Sequence, residues 1–273
     1  MTRAGGPPPT SPFDHLPEIR ERLAGGGATL VALDFDGTLT EIEDDPEAPG
    51  LTDERRTALA RIPGAGRRLA IVSGRALDDV RRRVGVPEAI VIGNHGLEIE
   101  GPGIRIHPPE AVAQRLAAVL ATVGRAIESG NGGADARRAW IEDKQWTASV
   151  HTRPRGDAAH HAEIGRAIEP LVRAAGFDLR PGKATWEVRP AGARDKGTAI
   201  LALLDALPGA SAARTLYAGD DATDEDAFRA LAAGVTVKVG ADPAAADRTA
   251  AHYGVDSPAD VYRLLEALFP ADA

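Results

Sequence analysis

The 273-residue chain contains no cysteine. That absence removes disulfides, thiolate metal sites and a cysteine nucleophile, so a metal would be held by oxygen or imidazole, with oxygen favoured. Positive charge is also scarce: 32 Lys and Arg against 40 Asp and Glu leave a formal charge of -8. Nucleic acid and anionic membranes reward net positive charge and are disfavoured as main partners. An anionic small molecule remains open, because a few local cations and a metal can govern one site. No apolar run approaches the length of a membrane span, and the N-terminus lacks the basic-then-apolar order of a secretory signal. No internal repeat is present. The expectation is a soluble cytoplasmic protein, a monomer, with no nucleic-acid or membrane partner. At 43% hydrophobic, the chain is long enough for two modest cores.

What is present begins with Leu30-Val31-Ala32-Leu33, an apolar run that reads as a fully buried strand. It delivers Asp34-Phe35-Asp36-Gly37-Thr38-Leu39. Residues two apart on a strand project to one side, so Asp34 and Asp36 can face one centre, and Gly37 lets the chain leave the strand. Open α/β sheets bind ligands at the carboxyl ends of their strands, and two buried carboxylates at one point call for a cation, a proton or both. Alone, the stretch reads equally well as a solvated Asp-Gly turn.

Three further pieces recur in order. Ser73-Gly74-Arg75 follows the strand Leu69-Ala70-Ile71-Val72 and precedes a helix beginning near Leu77, an arrangement suited to an anion. Lys196-Gly197 opens a helix, Thr198 to Leu207, and offers a compact cation to a phosphate oxygen. Gly219-Asp220-Asp221-Ala222-Thr223-Asp224-Glu225-Asp226 follows the strand Thr215 to Ala218 and supplies carboxylates of the kind hard divalent cations take. Thr223 with Asp226 reads as a capping box.

Strands and helices alternate from Ala28 to about Arg105, the pattern of a doubly wound, Rossmann-like parallel sheet. After Pro108-Pro109 the pattern changes to an Ala-rich helix, polar alternating strands, a helix containing Pro170 and a hairpin turning at Pro181-Gly182. This predicts an α/β core with an inserted α+β cap domain. The expected boundaries are a mostly flexible tail over 1–27, in which Phe13 to Leu23 can carry a short helix against the core, a core over 28–105 and 186–273, and a cap over 106–185.

The four ordered motifs resemble those of the haloacid dehalogenase superfamily of phosphohydrolases. Gly93-Asn94-His95-Gly96-Leu97-Glu98 and the segment Asp34 through Ala48, with Pro46 and Ala48, are similar to the trehalose-6-phosphate phosphatases. The resemblance runs from Leu30 to Phe269. In the cap it rests on Glu142, Lys144, His151, Arg153, Gly182-Lys183 and Glu187-Val188-Arg189-Pro190, and Thr152 departs from it where an aromatic residue is expected.

The resemblance implies hydrolysis of a phosphate monoester, trehalose 6-phosphate, in trehalose biosynthesis. Asp34 is expected as the nucleophile that forms an aspartyl-phosphate, and Asp36 as the acid that protonates the leaving oxygen and then the base that activates water. A carboxyl crowded by Asp34 and Asp220 would have its affinity for a proton raised, as an acid requires. Mg2+ is the expected cofactor, held by Asp34, the backbone carbonyl of Asp36 and Asp220, with Asp224 either a further ligand or a group that orients the others. Thr38, Ser73, Gly74 and Lys196 are expected around the phosphoryl oxygens. Individually Thr38 reads as a turn residue, Ser73 as a helix cap and Lys196 as a solvated side chain; the ordered set favours the site. The family implies that Glu142, Lys144, Lys183 and Glu187 grip the distal sugar, although charged residues alternating on a strand also describe a solvated face. His95 reads either as a substrate contact or as a loop-stabilising residue. Other sugar phosphates, such as sucrose phosphate, mannosyl-3-phosphoglycerate or glucosylglycerol phosphate, and a non-enzymatic sugar-phosphate-binding regulator are the rival readings.

Overall fold

The computed structural model describes residues 9–42, 50–64, 66–128, 139–152, 158–182, 184–240 and 249–270. Pro46, Ala48, Arg153 and Lys183, all singled out above, lie outside them. The chain divides into two units, one comprising Met1–Ile106 and Arg194–Ala273, the other His107–Ala193.

Among the described residues, the first unit is built on eight strands: β1 (Ala28–Asp34), β2 (Arg67–Val72), β3 (Ile90–Gly93), β4 (Glu98–Gly101), β5 (Ile104–Ile106), β10 (Ala210–Gly219), β11 (Val235–Val239) and β12 (Tyr253–Val255). Their spatial order is β12-β11-β10-β1-β2-β3-β4-β5. The six strands from β12 to β3 run parallel, while β4 and β5 extend the edge antiparallel, an addition that the alternating pattern did not disclose. Strand β1 is central, paired to β10 and β2, and buried on both faces, which is why it reads as an unbroken apolar run.

Side chains alternate across this sheet. Val31, Leu33, Leu69, Ile71 and Leu216 share one core with helices α1 (Leu16–Ala24), α2 (Asp53–Ala60), α3 (Leu77–Val84) and α8 (Pro258–Leu268). Leu30, Ala32, Ala70, Val72 and Tyr217 share the opposite core with α6 (Lys196–Ala206) and α7 (Asp224–Ala230). Helices therefore cover both faces, the doubly wound arrangement.

Within the N-terminal segment, the short helix that Phe13 to Leu23 can carry against the core is present. Ser11 caps a short 3-10 turn over Pro12–His15, and α1 sends Ile19 and Leu23, one helical turn apart, into the first core. Thr10 also bridges to Tyr253.

The second unit contains β6 (Ala139–Asp143), β7 (Ala148–Thr152), β8 (Phe177–Gly182) and β9 (Thr185–Pro190) in the antiparallel order β6-β7-β9-β8. Helices α4 (Glu110–Glu128) and α5 (Ala158–Ala174) cover one face through Leu116, Val119, Val123, Ile164, Ile168 and Val172, packed on Val150, Phe177 and Val188. Pro170 lies inside α5 without ending it. A boundary after residue 185 would cut β9 from the partners it bonds on both sides, so this unit extends to Ala193. Among the described residues, no helix is long and apolar enough to cross a membrane.

Candidate active site

Parallel pairing brings the carboxyl ends of β1, β2 and β10 to one edge of the sheet, and the sequence motifs sit there. β1 ends at Asp34, β2 at Val72 just before Ser73, and β10 at Gly219 just before Asp220. The turn after β1 needs Gly37: its φ is 86°, and a Cβ there would lie 2.2 Å from Asp220 Oδ2.

At the centre is Lys196, in the first turn of α6 and only 3% exposed. Its Nζ donates to Asp34 Oδ1 at 2.6 Å and to Asp224 Oδ1 at 2.7 Å. Helix α6 starts at Lys196, two residues earlier than the apolar spacing indicates, because Asp195 caps it. The Asp195 carboxylate accepts from the Thr198 N–H at 2.7 Å, and the Thr198 hydroxyl accepts from the Asp195 N–H at 2.9 Å. The capping box expected of Thr223 and Asp226 is absent from α7, where Thr223 makes no side-chain cap bond. Asp221 takes that role, its Oδ1 accepting from the N–H groups of Thr223 and Asp224 and from the Thr223 hydroxyl.

Asp224 is fully buried and saturated with donors. Oδ1 accepts from Lys196 and from the Tyr217 hydroxyl at 2.6 Å, while Oδ2 accepts from the Asp220 and Asp221 N–H groups, each at 3.0 Å. Asp34, Asp220 and Asp224 each bring a carboxylate oxygen within 4.8 Å of the others. Thr38, also buried, donates to Asp220 Oδ1 at 3.4 Å, and Lys238 at the end of β11 donates to the Asp220 carbonyl.

This concentration of acid in a buried place sets the electrostatics. Burial first, then the neighbouring Asp224 and Asp220, push the Asp34 carboxyl well above its usual range, against the attraction of Lys196. Asp220 is pushed up to about 6, by burial and then by Asp224 and Asp221. Asp224 is raised by burial, partly offset by Lys196. Asp221 escapes: burial raises it, but Lys196 and its own hydrogen bonds bring it down to about 2. For Lys196 burial works against the charge, yet Asp34, Asp224 and Asp221 outweigh it and the ammonium is held charged. One ammonium does not neutralise three carboxylates, and the remainder is the electrostatic signature of a cation site.

Asp36 is placed differently from expectation. Its carboxylate lies outside the cluster, half exposed, and accepts from Arg75: Nη2 to Oδ1 at 2.7 Å, and Nε to Oδ2 at 2.8 Å. Arg75 Nη1 also reaches Asp79 Oδ2 at 3.3 Å. The crowding predicted for Asp36 falls on Asp34 instead, because a guanidinium fork binds both oxygens of a carboxylate and draws it aside.

Ser73 is 1% exposed and does not cap α3, whose N-cap is Ala76. Its Oγ accepts from the Arg75 N–H at 3.1 Å. The 73–75 turn is backed by the strained pair Asn94 and His95, with φ of 50° and 55°. The Asn94 N–H donates to the Arg75 carbonyl and the His95 N–H to the Ser73 carbonyl. The imidazole lies where a Cβ on Gly74 would be, 2.3 Å from its Cε1. His95 thus packs on the Ser73-Gly74 turn, the loop-supporting alternative.

In the second unit, register gathers the remaining candidates. Glu142 pairs with Ser149 and Ser149 with Glu187, so both glutamates share the sheet face opposite the helices. Lys144 lies 4.0 Å from Glu187, and His151 bonds Glu142 at 2.8 Å while stacking flat on Trp140.

Tyr217 and Lys238 escaped the sequence reading. Tyr217 sits in an apolar strand where a tyrosine passes for core, and Lys238 lies on a strand with no motif around it. The available signal was parity for the first, two residues before Gly219, and for the second a lysine at the carboxyl end of a parallel strand.

A family model described as trehalose-phosphatase matches residues 32–259. A trehalose-phosphate phosphatase of Mycobacterium avium (strain 104) is 33% identical over 271 residues, covering 94% of this chain and 67% of that protein. One from Mycobacterium tuberculosis (strain ATCC 25618 / H37Rv) is 34% identical over 247 residues, covering 87% of this chain and 60% of that protein. The chain thus spans about two thirds or less of these relatives. A crystal structure of Aspergillus fumigatus trehalose-6-phosphate phosphatase superposes with a TM-score of 0.64 at 26% identity, covering 96% of this chain and all of the other.

Proposed function

Because the chain belongs to the trehalose-phosphatase family, we propose that it hydrolyses trehalose 6-phosphate to trehalose and phosphate through an aspartyl-phosphate on Asp34. The observation that carries this reading is the buried Asp34–Lys196–Asp224 bridge beside Asp220, at the carboxyl edge of a parallel sheet.

Asp34 attacks phosphorus, an Oδ–P bond forming as the bond to the sugar oxygen breaks. The leaving oxygen takes a proton from Asp36. Water then attacks the aspartyl-phosphate, giving its proton to Asp36 and freeing Asp34 and phosphate, which restores the starting state. Lys196 compensates charge on Asp34 and on phosphoryl oxygens, and the Ser73 and Thr38 hydroxyls and the Gly74 backbone bound the place where those oxygens sit.

The donor set fits Mg2+: it is all oxygen, and its carboxylates are crowded beyond what Lys196 offsets. Asp34 and Asp220 would hold the ion with the Asp36 carbonyl. Asp224, both of whose oxygens are engaged, orients Lys196 and the Asp220 loop. Bound there, Mg2+ supplies positive charge that favours the ionised nucleophile and offsets the phosphoryl charge. Glu142, Lys144, Lys183 and Glu187 are assigned to the sugar, whose hydroxyls require acceptors and donors rather than apolar walls. A protein with this role works where sugar phosphates are made, and a cytoplasmic monomer is the form we assign.

Phosphate release with Mg2+, with and without chelator, across trehalose 6-phosphate, sucrose 6-phosphate, glucose 6-phosphate and mannosyl-3-phosphoglycerate tests this. A chelator-sensitive preference for trehalose 6-phosphate is expected; preference for another ester would overturn the substrate assignment, and no release would overturn the enzyme.

A further inference from the structure

A second concentration of charge, of the opposite sign, lies at the other end of the sheet. Thr29 and Asp34 stand near opposite ends of β1, about 17 Å apart at a rise of about 3.3 Å per residue. Beside Thr29, within the first unit, is a cavity of about 320 Å³ whose charged lining residues are Arg20 and Arg67, with no carboxylate among the lining residues. Arg214 lies against the same place: its Nη2 is 2.2 Å from where a Cβ on Gly27, a lining residue, would be. Elsewhere Arg56, Arg75, Arg83 and Arg263 are paired with aspartates, as a chain of net charge -8 makes easy. Among the described residues Arg20, Arg67 and Arg214 make no ion pair. Each is fixed instead by donation to one backbone carbonyl: Arg20 Nη2 to Ala267 at 2.6 Å, Arg67 Nε to Ile62 at 3.1 Å, and Arg214 Nη2 to Gly209 at 2.5 Å. The Arg67 guanidinium also lies over the Phe269 ring, 5.5 Å from its centre. A guanidinium carries five N–H donors, so these bonds orient the forks and leave most of their donors for a ligand. The carbonyl ends of α1 and α8 line the cavity too, at Gly25 and Leu268, and each opposes an anion with about half a charge. The two full charges of Arg20 and Arg67 exceed that opposition before Arg214 is counted.

We propose that this cavity binds a phosphate dianion, free or carried on a small ester, in the forks of Arg20 and Arg67. Guanidinium forks match the paired oxygens of phosphate, and a dianion answers two guanidiniums where a monocarboxylate answers one. The volume is at the small end of the range for ligand sites, about 300–1,000 Å³, and Leu23, Leu268 and Phe269 give the body of an ester an apolar wall. The site is separate from the one around Asp34, so its occupant is a ligand that is not turned over. Bound there, it joins α1, which carries Arg20, to the first residue of β2, Arg67.

The test is a titration of the metal-free full chain with inorganic phosphate, glycerol 3-phosphate and acetate at constant ionic strength. Nitrogen–proton correlation NMR reads the backbone amides of Gly25, Gly27, Thr29 and Arg67, with Ser73 and Gly74 reporting the other site. The first four should shift saturably with phosphate or its ester and not with acetate, and Asp34→Asn should leave that titration unchanged. Whichever phosphate saturates at lower concentration identifies the source and supports the site. Arg20→Gln, at an exposed side chain, should weaken binding about tenfold, the loss of one charge-assisted contact. Arg67→Lys keeps the charge and loses the fork, and should weaken it by a similar factor. No saturable shift at these four amides with either phosphate, an equal response to acetate, or a titration unchanged in both arginine variants overturns the proposal. Shifts confined to Ser73 and Gly74 also overturn it, while leaving the proposed reaction at Asp34 untouched.

Discussion

Lys196 is the residue on which the site is organised, and its environment explains why three aspartates tolerate burial together. The ammonium donates to Asp34 and Asp224, and the Asp220 carboxylate accepts from the Thr38 hydroxyl. A carboxylate so placed gains affinity for protons: burial and then Asp224 and Asp221 push Asp220 up to about 6, against about 3.9 in an unfolded chain. The sign follows from linkage: the folded state holds this proton more tightly, so the group costs stability as pH rises from about 4 through 6 in the metal-free protein. A cation reverses that cost, because it binds the ionised carboxylate and displaces the proton. The rise in melting temperature on adding Mg2+ should therefore be larger at pH 7.5 than at pH 5. Differential scanning fluorimetry at matched ionic strength reads this directly, and an equal rise at both pH values would show that Asp220 is not a ligand.

At the scale of elements, the caps of α6 and α7 place the charges. Asp195 closes a reciprocal box with Thr198, which starts α6 early enough to put Lys196 in its first turn, buried beneath the sheet edge. Asp195→Ala should cost about 1 kcal/mol, a fall of about 2–4 °C in melting temperature for a domain of 150–250 residues. Thermal unfolding checks it, and no change would mean the helix start is set by packing alone. These local structures also show where reading the sequence succeeds and stops. β1, β2 and β10 were legible because strands buried on both faces leave unbroken apolar runs, and Asp34, Ser73 and Asp220 at their carboxyl ends are visible by position. Helix α1 was legible only as a short helix that Phe13 to Leu23 could carry against the core, because the proline and glycine around it blur its ends. The antiparallel β4 and β5 were hidden because strands of four and three residues leave almost no period. Asp36 was misplaced for a different reason: strand parity gives the side of the sheet, but the pairing with Arg75 depends on a turn 39 residues away.

For the whole molecule, the division into two units puts the residues proposed for chemistry and those proposed for discrimination in different parts of the sequence. Asp34, Asp36, Ser73, Lys196, Asp220 and Asp224 belong to the discontinuous first unit, while Glu142, Lys144 and Glu187 belong to the second. An insertion after Ile106 that returns at Arg194 leaves the parallel sheet and its carboxyl edge intact, so the site proposed for the phosphoryl group and the face proposed to meet the sugar can vary independently. The central claim concerns the first of these, that Asp34 carries the phosphoryl group. It is tested most directly by acid-quenching the enzyme during turnover of trehalose 6-phosphate and mapping covalent phosphate by mass spectrometry. The account predicts an acid-stable phosphoryl adduct on the peptide containing Asp34, absent from Asp34→Asn, which should release no phosphate. Phosphate release from that variant, or an adduct on another residue, would contradict it.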